Sequence, residues 1–138
     1  MPSTLMLHEE DPREALLKKA GDLSGVDVFG SDVLCAIYKR PEKTKSGIIL
    51  ADATRAEDVW QGKTFLILKM GEHAFVDDEG NKFRDINVGD WVVARASDGL
   101  ACVLNSENGV TSRENSIECR IITDINIRLR ISSPDVIY

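Results

Sequence analysis

The chain has little that would place it in a membrane, a secretory route or an active-site class. Its apolar runs, such as Phe65-Leu66-Ile67-Leu68, fall far short of the roughly 20 residues that cross a bilayer as a helix. Positive charge is scarce: 17 Lys and Arg stand against 23 Asp and Glu, a formal net charge of -6. That balance excludes nucleic acid and anionic membrane surfaces as main partners, since both need a basic field. The N-terminus runs Met1 to His8 and turns acidic at Glu9-Glu10-Asp11, without the basic start and apolar stretch of a secretory signal. A cytoplasmic location is expected. Three cysteines, Cys35, Cys102 and Cys119, are an odd number with no C-x-x-C spacing, which fits a reducing compartment and buried thiols acting as small hydrophobes. His8 and His73 lie far apart and neither stands at ligand spacing from a cysteine, so no metal is expected. The sequence holds no G-x-G-x-x-G, no P-loop and no recognisable nucleophile–base pair; no catalytic residue and no cofactor are assigned.

What is present is one domain's worth of core, 138 residues of which 43% are hydrophobic. Asp11-Pro12-Arg13-Glu14 combines an N-cap aspartate, a proline at the first helical position and a glutamate three residues after the cap. A short helix is predicted from there to Gly21, with Leu16, Leu17 and Ala20 on its apolar side and Lys18 and Lys19 at its C-terminal end. At about nine residues it must dock to persist, because nucleation is costly. It can do so on its own domain or, as a clamp, on a partner through Leu16, Leu17 and Ala20. The Gly, Asp and Ser content of Gly21 to Gly30 reads as a linker.

From Asp32 the period becomes two. Val33, Cys35 and Ile37 alternate with Leu34, Ala36 and Tyr38, which predicts a strand covered on both faces. Thr64 to Lys69, Trp91 to Arg95, Leu100 to Leu104 and Glu118 to Thr123 are further strands, and Ile125, Ile127, Leu129 and Ile131 alternate with polar residues as a final one with a wet face. Asp77-Asp78-Glu79-Gly80-Asn81 can close a hairpin between Phe75-Val76 and Lys82-Phe83; its carboxylates do not have calcium-loop spacing. Short strands at this spacing predict a mostly β fold, a small barrel or sandwich. The expected organisation is an N-terminal arm over 1–30, a β domain over 31–131 and a tail over 132–138.

The long connection from about Lys39 to Gln61 contains Ser46-Gly47-Ile48-Ile49-Leu50 between polar flanks. Periodicity alone admits a short core strand or a pliant arm that offers an apolar tag to a groove on another protein. Burying Ile48, Ile49 and Leu50 would contribute on the order of 5–9 kcal/mol gross. Ordering the loop costs about 1 kcal/mol per fixed residue, so a single arm binds weakly. Several arms on a symmetric oligomer convert weak contacts to avidity.

Asp32-Val33, Lys43-Thr44-Lys45-Ser46-Gly47-Ile48-Ile49-Leu50, Gln61-Gly62-Lys63, Lys69-Met70-Gly71, Val88-Gly89-Asp90 before Trp91-Val92-Val93, and Ile121-Ile122-Thr123-Asp124-Ile125 follow one another in an order that resembles the GroES, or small co-chaperonin, family over residues 31 to 131. The resemblance implies a small irregular GroES-like β-barrel, self-assembly into a homo-oligomer, a roof hairpin at about Gly71 to Gly89, and a loop whose Gly47, Ile48, Ile49 and Leu50 dock on a large chaperonin. Ser46-Gly47 stands where the family usually has two glycines, and Val33 where it has a basic residue. The added arms suit divergent bacteriophage members, in which the barrel assists capsid folding or decorates the virion by binding capsid protein.

Overall fold

The structure, a computed structural model, describes residues 11–21, 23–39, 49, 63–95, 97–105 and 116–136. Helix α1 spans Pro12–Ala20. The Asp11 carboxylate accepts the Arg13 N–H at 3.0 Å, and the Gly21 N–H reaches the Leu17 carbonyl at 3.2 Å with φ of 64°. Both ends of the helix thus close as the sequence indicates.

Six strands follow: β1 Asp32–Ile37, β2 Thr64–Met70, β3 Trp91–Val93, β4 Leu100–Asn105, β5 Ser116–Thr123 and β6 Leu129–Ile131. They form one sheet in the order β4-β5-β1-β2-β3-β6, every neighbouring pair antiparallel. The mostly β class holds, and the architecture is consistent with a small GroES-like barrel. Among the described residues, β4 and β6 are the edges of the sheet.

Strand β1 is central in the sheet, and both its faces are covered. Val33, Cys35 and Ile37 join Phe65, Ile67, Phe75, Val92 and Ile122 in one cluster. Leu34, Ala36 and Tyr38 join Leu66, Trp91, Ile117 and Cys119 in the other. The first is covered by the segment after β2, through Ala74, Phe75 and Ile86; the second by α1 and the 23–28 segment, through Leu16, Ala20, Leu23, Val26 and Val28. That segment reads as a linker by composition, yet its three apolar side chains lie on the sheet. The Lys69 ammonium donates to the carbonyls of Leu23, at 2.9 Å, and Val26.

The predicted alternating strand from Ile125 is corrected. Asp124–Asn126 is a 3-10 turn, and strand begins again only at Leu129. A 3-10 turn has three residues per turn, so residues two apart no longer share a face. Ile127 is fully buried, whereas Ile125 and Leu129 are exposed. The cause is Asp124, a buried carboxylate that accepts the Phe75 N–H at 2.8 Å while its own N–H donates to Ser31. The strand predicted to Arg95 also ends earlier, at Val93.

Candidate functional site

The aliphatic loop leaves the sheet after β1 and returns at β2. Its two roots are fixed next to each other: the Tyr38 N–H donates to the Thr64 carbonyl at 3.1 Å. Tyr38 is buried and sets its ring edge-on against Trp91, centroids 5.7 Å apart at 85°, a favourable aromatic geometry. On the outer side, Lys39 pairs with Glu118 of β5 at 2.5 Å. The loop therefore starts from a packed base rather than from a frayed strand end.

Of the four residues expected to contact a partner, Ile49 is 65% exposed. Gly47, Ile48 and Leu50 lie outside the described residues. The three helix residues divide differently: Ala20 is buried at 3% exposure, Leu16 packs on the sheet beside it, and Leu17 keeps an exposed side chain.

At the far end of β2 the roof hairpin forms as its turn sequence indicates. Val76 bridges Lys82, the Asp77 N–H donates to the Asn81 carbonyl at 2.8 Å, and the Asp77 carboxylate accepts from the N–H groups of Glu79 and Asn81. Next to it lies a cleft of about 340 Å³ bordered by Arg84, Arg128 and Arg130. Local pattern does not reveal this group, since it comes from two segments. Its guanidiniums are largely engaged: Arg84 donates to the Ile127 carbonyl, Arg130 to the Asp85 carbonyl at 2.6 Å, and Arg130 lies 3.8 Å from the Asp90 carboxylate. They tie the hairpin to β6.

Among the described residues, the thiols have no activating partner. Burial pushes the Cys119 thiol up to about 12, with further repulsion from Cys102 and Glu118; burial also raises Cys102 and, with Cys119 as a second cause, Cys35. A thiol that is to be a ready nucleophile at neutral pH needs the opposite shift. Among the described residues, no three His, Cys, Asp or Glu side chains converge as metal ligands, and no helix is long and apolar enough to cross a membrane.

A loop rooted between the first two strands of a small antiparallel fold, with a hairpin at the opposite end, has a counterpart among known families. Residues 26–121 match the sequence profile of the family described as Chaperonin 10 Kd subunit. The chain belongs to the chaperonin 10 family. No curated protein matches the chain. The chaperonin 10 match takes in the whole of the loop and its roots, the roof hairpin and strands β1 to β4, and ends within β5. Helix α1 and strand β6 lie outside it. Membership in chaperonin 10 supports a co-chaperonin-like role.

Proposed function

We propose that the chain is a cytoplasmic, non-enzymatic co-chaperonin that assembles with copies of itself and docks on a large chaperonin through Gly47, Ile48, Ile49 and Leu50. Ile49 carries the proposal: a large aliphatic side chain 65% exposed, at the centre of the triplet, in a loop with a rigid base. An exposed aliphatic side chain is what an apolar groove on a partner would take up. Each loop contributes little net affinity once its ordering cost is subtracted, so several copies must engage together. The sheet offers a means of self-assembly. Among the described residues, edge strands β4 and β6 each have a neighbour on one side, and they leave Leu100, Val103 and Leu129 exposed.

The decisive experiment replaces Ile48 and Ile49 by serine and measures capture of the chaperonin. Binding is lost while the circular dichroism spectrum is unchanged; retained binding rejects the docking role. Native mass spectrometry of the wild type should find a closed homo-oligomer, and a monomer would remove the avidity on which the proposal depends. Decoration of a bacteriophage capsid is the alternative reading, with α1 as the clamp. Leu17 is then the helix residue that faces the capsid protein, and removal of residues 1 to 25 should release the protein from particles.

A further inference from the structure

We infer that Cys102 and Cys119 form a redox couple: they stand directly opposite each other on the neighbouring antiparallel strands β4 and β5, and a hydroperoxide oxidises them to an intrachain cross-strand disulfide. Directly opposed residues project from the same face of a sheet, and both cysteines pack in the cluster that contains Trp91 and Ile117. Opposed Cα atoms lie roughly 4.5–5.5 Å apart in an antiparallel pair, within the roughly 4.4–6.8 Å that a disulfide spans. Closure requires the two Cβ atoms to approach by only about 1 Å. Strand β4 can give that much, because among the described residues it is an edge held only by β5.

Cys35 serves as an internal contrast. It pairs with Arg120, so its side chain belongs to the opposite face, where it is fully buried among Phe65, Ile67 and Val92. The sheet itself separates it from the other two thiols. All three cysteines are free thiols in the structure.

The chemistry balances with a hydroperoxide as oxidant. Cys102 is half-buried where Cys119 is fully buried, so it is the thiol that reacts first. Its thiolate attacks the terminal peroxide oxygen, the O–O bond breaks, and the displaced oxygen leaves as water or alcohol after taking up a proton. The Cys102 sulfenic acid is then attacked by the Cys119 sulfur; the S–O bond breaks, the S–S bond forms, and the hydroxyl leaves as water with the Cys119 proton. Two thiols and one hydroperoxide thus give one disulfide, one water and one water or alcohol. Both thiols are raised by burial, so the first step is slow at neutral pH and speeds up in mild alkali. The product staples an edge strand to its neighbour and closes the connection between β4 and β5 into a covalent ring.

The test treats the full-length native protein with hydrogen peroxide, then denatures it and counts thiols. Three thiols before treatment should fall to one, with Cys35 the survivor, and dithiothreitol should restore all three. Arg113 separates the two cysteines in a tryptic digest, so the oxidised sample should yield a peptide pair joined through Cys102 and Cys119 that reduction splits. Cys102→Ser, a change at a half-buried edge position, should keep both remaining thiols under the same treatment. Retention of all three thiols in the wild type overturns the inference. So do a link that includes Cys35, a link between two copies, and conversion of Cys102 to sulfinic acid without a link to Cys119.

Discussion

The carboxylate of Asp124 accepts the backbone N–H of Phe75 at 2.8 Å, joining the turn after β5 to the root of the roof hairpin 49 residues earlier. Phe75 has φ of 60°, a conformation that a bulky side chain adopts only when its surroundings enforce it. Its ring is fully buried and its carbonyl accepts from Phe83 at 2.8 Å, so both the amide and the side chain are held. Replacing Asp124 by alanine leaves a buried N–H without its acceptor and removes the restraint on a strained residue. A loss of about 1–3 kcal/mol is expected in urea unfolding. Asn at the same position keeps an oxygen acceptor and should recover most of it. An alanine variant as stable as the wild type would show that the hairpin root does not depend on this bond.

Two glycines with the same φ of 84° should respond very differently to alanine. At Gly80, in the hairpin tip, an added Cβ meets nothing within 4 Å. At Gly99, leading into β4, it falls 2.3 Å from the Ile121 carbonyl oxygen, which is backbone and cannot swing away. Gly80→Ala carries only the left-handed backbone cost, about 1–2 kcal/mol. Gly99→Ala adds a steric clash that pushes β4 off β5, and its loss should exceed that of Gly80→Ala by at least about 1 kcal/mol. Thermal denaturation of the pair measures the difference, and equal losses would mean that β4 accommodates the methyl by shifting.

Features governed by near neighbours were legible in the sequence. The N-cap at Asp11, the stop at Gly21, the two covered faces of β1 and the turn at Asp77 to Asn81 all depend on residues a few positions apart. The alternation from Ile125 to Ile131 misled because a buried carboxylate, Asp124, bonds to a residue distant in sequence, and no local period records that bond. Leu23, Val26 and Val28 were obscured by the Gly, Asp and Ser around them, and by a lysine on another element that satisfies the carbonyls of Leu23 and Val26. The opposition of Cys102 to Cys119 and the convergence of Arg84 with Arg130 are likewise matters of register and tertiary contact. The aliphatic triplet was legible as an anomaly in a polar loop, and of it the structure describes Ile49.

Lys69 should act as the latch of the segment that precedes β1. Its ammonium donates to two backbone carbonyls, those of Leu23 and Val26, in a part-buried position. Charge-assisted bonds of this kind contribute about 1.5–3 kcal/mol when desolvated, less where water reaches them. Lys69→Met preserves the aliphatic stem and removes the donors. Hydrogen exchange at residues 23 to 28 should accelerate several-fold while the amides of β1 and β2 stay protected. Global destabilisation with uniform exchange would instead assign Lys69 to the core of the sheet.

The buried thiols predict a decline of stability in alkali with a definite sign. Cys119 has an ordinary value of 9.0 and is pushed up to about 12 in the folded chain, by burial first and then by Cys102 and Glu118. Between those values the unfolded chain has released the proton and the folded chain retains it, so the folded state binds more protons and rising pH favours unfolding. The contribution is complete below pH 9.0 and drains away as pH rises towards about 12. One such group gives a slope of about 1.4 kcal/mol per pH unit at most. Lysine and tyrosine titrate in the same range, so the wild type must be compared with Cys119→Ala, whose unfolding free energy should fall less steeply across the window. Urea unfolding of both proteins under reducing conditions, from neutral pH to about pH 11, measures that difference. Parallel curves would mean that Cys119 ionises in the folded protein as readily as in the unfolded chain.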